Sequence, residues 1–350
     1  MNKKLFSKSK GAAPGTIIYE GDTAPVQTNI TCCKIMNDKV IENDVIDYDN
    51  KDKYVTWIRV TGLSDSSRVI EALKPFNISS LTLEDVFETY HNPKFDDTFD
   101  YNFIIMRSLS INNTNIQDNQ ISFIQKDNFL ITFEEYHCDE FNIVLQRIYK
   151  HFNNFYTRGS DYLLYALIDA MIDNYIMILN SINLSVDSLE DTMTLDVACP
   201  CDTSKLFTLK RHVNFLSRHT RASYDVVNQL LKLSIEHNSE DNTVSIVPYY
   251  EDLFEHAMYL NEAILYCKDS IRSVYDENMS RMQLKSNKFI NILTMLSTLM
   301  LPPMVIGGIF GMNFEQIPFT SYSHGFAVSV FAMFAVSLML AWFFKKKNFF

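Results

Sequence analysis

The last sixty residues constrain the fold most, because they carry almost no charge. Between residues 289 and 344 the single charged side chain is Glu315. The uncharged run 290–310 contains 21 residues, which is about 31 Å of helix and matches the hydrocarbon thickness of a bilayer. A second uncharged run, 326–344, follows a connection of 15 residues. We therefore predict a hairpin of two membrane-spanning helices rather than a buried hairpin in a soluble core.

Basic residues flank both predicted spans on the same side. Arg281, Lys285 and Lys288 precede the first span, lysines occupy 345–347 after the second, and the connecting loop contains neither Lys nor Arg. Cytoplasmic flanks are enriched in Lys and Arg, so we expect both termini in the cytoplasm and the spans in the cell (inner) membrane. The terminal lysines either anchor the span at anionic headgroups of the lipid bilayer or form a basic collar in an oligomer.

The first span is not patterned like a simple membrane anchor. Steps of three and four residues define a stripe of the kind that faces other helices. Two spans cannot enclose a channel, so a pore along this stripe requires several copies of the chain. Pro302 and Pro303 remove two backbone donors and should bend the helix, while Gly307 and Gly308 permit close backbone approach. The candidate pore-lining residues are Asn287, Ile290, Leu293, Ser297, Leu301, Met304 and Gly308.

The first 288 residues have the mixed composition of a soluble protein. Strand patterns occur at 53–60, at 101–111 and in a pair around Lys126-Asp127, and helical periodicity begins near residue 139. A break at Pro200 separates a further helix, and from about Pro248 a helix of roughly sixty residues runs into the first span, about 90 Å in length. The fold class is therefore α+β. The net charge of −11 argues against nucleic acid as a partner, because phosphates favour basic surfaces.

The end of the first span carries a recognisable motif. Gly311-Met312-Asn313 resembles the signature of CorA-type divalent-cation transporters. The stretches MNFEQIP, SDYLLYALIDAMIDNY, TLEDVFETYHNPKFD and FFKKK each resemble family counterparts, in family order, from about residue 50 onward. The resemblance implies a funnel-shaped homopentamer with a long stalk helix continuing as the pore-lining span. It also implies Mg²⁺ influx, with Co²⁺ or Ni²⁺ sometimes carried.

The resemblance and the patterns divide the chain into seven segments. We predict an N-terminal αβ cytoplasmic domain (1–138), cytoplasmic helices (139–245), a stalk helix (246–288), a pore-lining span (289–311), an external loop (312–325), a second span (326–345) and a basic cytoplasmic tail (346–350).

The predicted selectivity filter consists of Gly311, Met312, Asn313 and Glu315. Mg²⁺ holds its water tightly, so a ring of amide oxygens from Asn313 suits a hydrated ion, whereas a carboxylate ring would slow release. Gly311 permits the turn into the loop and Met312 packs below it. Glu315 either raises the local cation concentration or is a solvated loop residue. The family pattern implies a small polar residue such as Thr where this chain has Met304.

The resemblance also implies regulatory Mg²⁺ sites in the cytoplasmic domain. Asp85 of one chain would face Asp252 of its neighbour, and Glu84, Asp169 and His256 would complete a second site. Asp252 and His256 are four apart on one helix, as are Asp169 and Asp173, so each pair shares a helix face. Solvated surface acids are the alternative for each. The full set is Glu84, Asp85, Asp169, Asp173, Asp252, His256 and Asp276.

The sequence thus predicts a channel-like transporter for divalent cations, driven by the membrane potential and inhibited by cytoplasmic Mg²⁺, with Mg²⁺ as both transported and regulatory ion. Two alternatives stay open at this point. One is the zinc-transporting branch of the same superfamily, and Met312 favours the magnesium type. The other is a membrane-anchored protein without transport. The sequence contains neither a P-loop nor a nucleophile–base pattern, so we predict that it is not an enzyme.

Overall fold

The structure is a computed structural model. It describes residues 13, 15–19, 21, 26–46, 48, 54–112, 115–195, 203–237, 245–312 and 322–346. The chain divides into two compact units, Met1–Thr192 with Asp202–Arg272, and Met193–Cys201 with Ser273–Phe350.

A seven-stranded mixed sheet forms the centre of the first unit. Its spatial order is β2-β1-β3-β7-β6-β5-β4, and β3 and β7 pair in parallel while all other neighbours are antiparallel. The strands are β1 Asn29–Ile35, β2 Val40–Asn43, β3 Val55–Thr61, β4 Lys94–Asp97, β5 Asn102–Asn112, β6 Asn115–Lys126 and β7 Phe129–Glu134.

Both faces of this sheet are covered. On one face, Ile58 and Val60 belong to a core that also includes residues of two short helices, α1 Ser66–Leu73 and α2 Ser80–Phe87. On the other, Trp57 lies against Phe141 of the next helix, with ring centroids 5.9 Å apart. All six residues of β7 are buried, as expected for a central strand that is covered on both faces.

The helix α3, Asp139–Leu195, is interrupted near its start. His151 and Gly159 have non-helical backbone angles, and Gly159 has φ +76° and ψ −165°, a region that is essentially restricted to glycine. The break divides α3 into a short segment, whose Phe141 contacts the sheet, and a longer one.

Two further helices continue the chain, α4 Thr203–Glu236 and α5 Val247–Phe310. Buried residues of α5 in the first unit recur at steps of three and four, which is the seam of a helix packed along its length. The helix assignment of α5 continues through Pro302 and Pro303 to Phe310. The buried seam comprises Tyr250, Leu253, Ala257, Leu260, Ile264, Cys267 and Ile271.

Among the described residues, three helical segments are long and apolar enough to cross a membrane: Asn153–Met193, Val247–Phe310 and α6, Gly325–Lys346. In the most apolar part of Asn153–Met193, 67% of the residues are buried within the protein. In the corresponding parts of the other two segments, none of the residues is buried. Burial therefore separates a core helix from two candidate spans. The α+β architecture, the long helix and the two apolar C-terminal helices agree with the fold class predicted from the sequence. The domain boundaries stay predictions.

Candidate ion pathway and metal sites

The predicted pore stripe lies on an exposed face of α5. Within the second unit, Ile290, Leu293, Leu301 and Met304 are 56%, 65%, 57% and 72% exposed. Asn287, Ser297 and Gly308 are exposed as well. These residues therefore form a continuous strip that no described part of this chain covers.

The opposite face of α5 packs against α6. Ser337 donates a hydrogen bond to the carbonyl of Leu299 at 3.1 Å, and the side chains half-buried there are Met295, Thr298, Leu299, Pro302, Pro303 and Ile306. At 3.6 residues per turn, this set lies about 155° around the helix from the pore stripe. The hairpin contact thus leaves the stripe free to meet other chains.

The glycines near the end of α5 are not required by α6. A Cβ on Gly307 would lie 3.9 Å from Met333, and one on Gly308 would meet no atom within 4 Å. The close backbone approach predicted for this pair is therefore not made with α6. The amide of Gly311 donates to the carbonyl of Gly307 at 3.0 Å, and that of Met312 donates to Ile309 at 3.3 Å, which ends the helix.

The remaining filter residues, Asn313 and Glu315, lie outside the described residues. Gly311 and Met312 are described, and both are exposed. At the other end of the stripe, the side-chain carbonyl of Asn287 accepts a hydrogen bond from Gln283 at 3.0 Å.

One group of regulatory candidates comes together on α3 and α5. Ligand atoms of Asp169, Asp173 and His256 lie within 4.8 Å of one another. His256 Nδ1 is 3.6 Å from an oxygen of Asp169, and its Nε2 is 3.8 Å from Asp252. Arg147 lies 3.7 Å from the other oxygen of Asp169. The structure therefore brings Asp169 and His256 together, and their role as a regulatory site stays a prediction.

Burial and neighbouring charges act together on the carboxylates of this group. Burial raises the pKa of the Asp169 carboxyl above its ordinary value, and Asp173 raises it further, while His256 and Arg147 act in the opposite direction. The pKa of Tyr165 is also raised, first by burial and then by the negative charge of Asp169 and Asp252. A divalent cation placed among these carboxylates would relieve their repulsion.

The other regulatory candidates lie apart from this group in the described chain. Glu84 accepts a hydrogen bond from the amide of Gly15 at 2.7 Å, so within one chain it is bound to Gly15 rather than grouped with Asp169 and His256. Asp85 forms an ion pair with Lys94 at 2.7 Å. Asp276 is exposed in the second unit.

The structure adds two residues that the sequence reading missed. Ligand atoms of Glu88 and His91 lie within 4.8 Å of each other and of Asp85. These three residues recur at steps of three in the sequence, but this spacing does not by itself predict the cluster. Because α2 ends at Phe87, helical periodicity does not relate all three.

The fold and the free stripe define a class of membrane protein: a soluble α+β unit, a long helix and two apolar C-terminal helices of which one leaves a face for other chains. Residues 52–346 match the family model described as CorA-like Mg²⁺ transporter protein. The chain therefore belongs to the CorA family.

Relatives match over most of their length. The cobalt/magnesium transport protein CorA of Thermotoga maritima is 27% identical over 354 residues, covering 99% of each chain. The putative metal ion transporter YfjQ of Bacillus subtilis is 23% identical, over 83% of this chain and 88% of its own. The complete CorA magnesium transporter structure from Methanocaldococcus jannaschii superposes with a TM-score of 0.78 at 20% identity, covering 91% of this chain and 98% of that one. This last similarity shows the fold.

Proposed function

We propose that this chain is one subunit of a homopentameric, channel-like transporter that carries divalent cations, chiefly Mg²⁺, into the cell. Family membership supports the class of activity, because relatives over nearly the whole length are named cobalt/magnesium transport proteins. Co²⁺ and Ni²⁺ are the further candidate ions. No catalytic step is part of this proposal.

The observation that carries the proposal is the free stripe of α5. Its exposed residues lie on the side of α5 away from α6, so copies of the chain can turn their stripes toward a common axis while their α6 helices stay outside. Apolar residues dominate the stripe, and rings of Ile290, Leu293, Leu301 and Met304 would close the pathway by excluding water. Ser297 would supply a polar level between these rings, and Gly308 would supply one beyond Met304.

Asn313 supplies the recognition step in this proposal. Stripping Mg²⁺ of its water is costly because the ion is small and holds its hydration shell tightly. A ring of side-chain amides hydrogen-bonds the waters of a hydrated ion without the strong attraction of a carboxylate ring. Gly311 and Met312 would position this ring, and Glu315 would concentrate cations in front of it.

The membrane potential drives the ion in this proposal. With both termini in the cytoplasm, an inward cation moves toward the negative side. Each elementary charge gains about 2.3 kcal/mol per 100 mV, so a divalent ion gains about twice that.

Cytoplasmic Mg²⁺ closes the pathway in this proposal. Asp85 would face Asp252 of the neighbouring subunit, and Asp169, Asp173 and His256 would hold a second ion, with Glu84 and Asp276 extending the acidic surface. Bound Mg²⁺ would bridge subunits. Its loss would leave carboxylates of like charge to repel each other and separate the stalk helices.

Ion uptake into liposomes containing the purified full chain tests both the proposed transport and its proposed inhibition by Mg²⁺. We expect Mg²⁺ uptake to accelerate with an inside-negative potential. In Asn313→Ala the rate of uptake should fall at least about tenfold, which corresponds to a transport barrier higher by about 1.4 kcal/mol or more. We expect Asp85→Ala/Asp252→Ala to retain uptake but to lose inhibition by Mg²⁺ on the cytoplasmic side. Zn²⁺ and Co²⁺ uptake measured in parallel separates the magnesium from the zinc type.

Asn291→Ala is the matched control, because it removes an exposed amide from the same span but away from the stripe. It should retain parental uptake. Parental uptake in Asn313→Ala would reject the filter, and unchanged Mg²⁺ inhibition in the double variant would reject the sensor. Absence of uptake for every ion would reject transport.

A further inference from the structure

A second cluster of metal-ligating side chains lies between α2 and β4, outside the predicted ion pathway. It consists of Asp85 on α2, Glu88 directly after α2 and His91 in the following loop. His91 Nε2 is 3.2 Å from Asp85 Oδ1 and 3.3 Å from Glu88 Oε2. All three ligand atoms belong to one chain and to one compact unit.

The imidazole nitrogen of His91 is placed as a metal-ligating atom would be. His91 Nε2 is buried and makes no hydrogen bond to any residue that the structure describes, although two carboxylate oxygens surround it. Ligands held at 2.0–2.1 Å from a tetrahedral metal are about 3.3–3.4 Å apart. The two measured separations are close to this spacing. The His91 side chain as a whole is 27% exposed, so an ion has a route in.

Lys94 orients the carboxylate of Asp85 and leaves its Oδ1 oxygen available to a metal ion. Lys94 Nζ lies 2.7 Å from Oδ2, whereas Oδ1 is the oxygen that faces His91. Lys94 itself is shared with Asp96, at 2.6 Å. Such outer contacts fix the orientation of metal-ligating carboxylates.

Buried polar groups hold the backbone around the cluster. Gln120 donates from Nε2 to the carbonyl of Asp85 at 3.0 Å, and its Oε1 accepts from the amide of His91 at 3.1 Å. Arg107, buried on β5, donates to the carbonyl of Thr89 at 2.8 Å. The loop that carries Glu88 and His91 is therefore fixed on the sheet before any ion arrives.

The ligand set selects the kind of ion. Asp85, Glu88 and Asp96 contribute three negative charges and Lys94 one positive charge, so the cluster carries a net charge of about −2 when His91 is neutral. Imidazole favours zinc, nickel and cobalt, while Mg²⁺ prefers an all-oxygen octahedron. We propose that Asp85, Glu88 and His91 form a transition-metal site in each subunit, which takes Zn²⁺, Co²⁺ or Ni²⁺ in preference to Mg²⁺.

A regulatory consequence follows if Asp85 also serves the inter-subunit Mg²⁺ site, and this part rests on the proposed function. A transition metal on Oδ1 would remove that oxygen from the bridge to Asp252 of the neighbouring subunit. Asp85 would then bind both kinds of metal ion, in competition with each other. The binding site itself requires only this chain.

Metal titration of the purified full chain tests the site, with Zn²⁺ measured by calorimetry and Co²⁺ by its visible absorption, both in excess Mg²⁺. The titrations use a His256→Gln background, which removes the other histidine-containing cluster. We expect this background to bind one Zn²⁺ or Co²⁺ per chain at this position. Adding His91→Gln should weaken that binding at least about tenfold, since losing even an outer partner costs that much, and should abolish the tetrahedral Co²⁺ absorption.

Glu88→Gln is the second variant and should give the same loss if His91→Gln does not fold. His237→Gln is the matched control, because His237 is exposed directly after α4, and it should bind as the background does. The site would be overturned if a folded His91→Gln or Glu88→Gln variant bound Zn²⁺ and Co²⁺ as the background does. It would also be overturned if Mg²⁺ displaced Zn²⁺ at comparable concentration. Liposomes without uptake but with this binding would reject the proposed transport alone.

Discussion

Among individual residues, the buried thiols show how far the surroundings change reactivity. Cys33 on β1 is 6% exposed. Burial, then Glu42 and then Cys32 raise its pKa to about 12 from the ordinary 9.0. The thiolate is the reactive form, so at neutral pH this residue is an inert thiol of the sheet.

We predict slow alkylation of Cys33 in the folded chain. The pKa is raised, so the protonated form persists until the pH approaches 12, and its modification by iodoacetamide should still increase between pH 8 and pH 10. Peptide mass spectrometry with and without denaturant measures the rate at each cysteine. In denaturant the rate of Cys33 alkylation should rise by at least about a hundredfold at pH 8, because each unit by which the pKa falls raises the thiolate fraction about tenfold. Equal rates in both conditions would contradict the burial of β1.

At this scale the sequence predicted some site residues and not others. Asp169, Asp173 and His256 were predictable because one-turn spacing on helices and the family resemblance point to the same residues. Glu88 and His91 were not, because their proximity to Asp85 depends on the turn after Phe87 and on Gln120 holding that turn from β6. A sequence pattern does not contain such a contact between distant strands.

Among the elements, α5 shows two different patterns along its length. In the first unit its buried residues form a seam with steps of three and four. Leu260 is 2% exposed and lies in that seam, whereas Leu265 on the same helix is 60% exposed. The pattern therefore separates side chains that hold the unit together from those that face outward.

We predict that Leu260→Ala destabilises the soluble unit and Leu265→Ala does not. Removing a buried leucine costs about 2–5 kcal/mol, through lost burial and the cavity left behind. The thermal unfolding temperature of the full chain in detergent should fall by several degrees in Leu260→Ala and stay within about one degree in Leu265→Ala. Equal shifts in the two variants would show that the seam is wrongly assigned.

The element predictions succeeded where a pattern is long. The strands near 53–60 and 101–111 and the helical start at residue 139 were all recognisable. Strands β1, β2 and β4 were not predicted. Strands β2 and β4 have four residues each and are specified by pairing with neighbours rather than by their own periodicity. Asn153–Met193 is apolar enough for a membrane span by composition, whereas the sequence pattern predicted cytoplasmic helices there, and its burial shows that it is a core helix.

At the scale of the whole molecule, the decisive feature is the surface that the chain leaves uncovered. The two apolar helices contact each other through one side of α5, and the opposite side carries the exposed stripe. In a bilayer that stripe would place the Ser297 hydroxyl against lipid unless other copies cover it. The proposed assembly of several chains around the stripe would remove this hydroxyl from lipid.

Cross-linking at Ser297 tests this assembly. Ser297→Cys, in a background with Cys199 and Cys201 changed to Ser, should give a band of two linked chains with a short bifunctional maleimide in native membranes, because one thiol per chain can join only one neighbour. Leu299→Cys is the control, since Leu299 is half-buried against α6 and should remain a single chain. The two positions are two residues apart on one helix, so both sample the same depth of the membrane. A linked band from Leu299→Cys but not from Ser297→Cys would reverse the face that meets other subunits, and single chains from both would reject an assembly around the stripe.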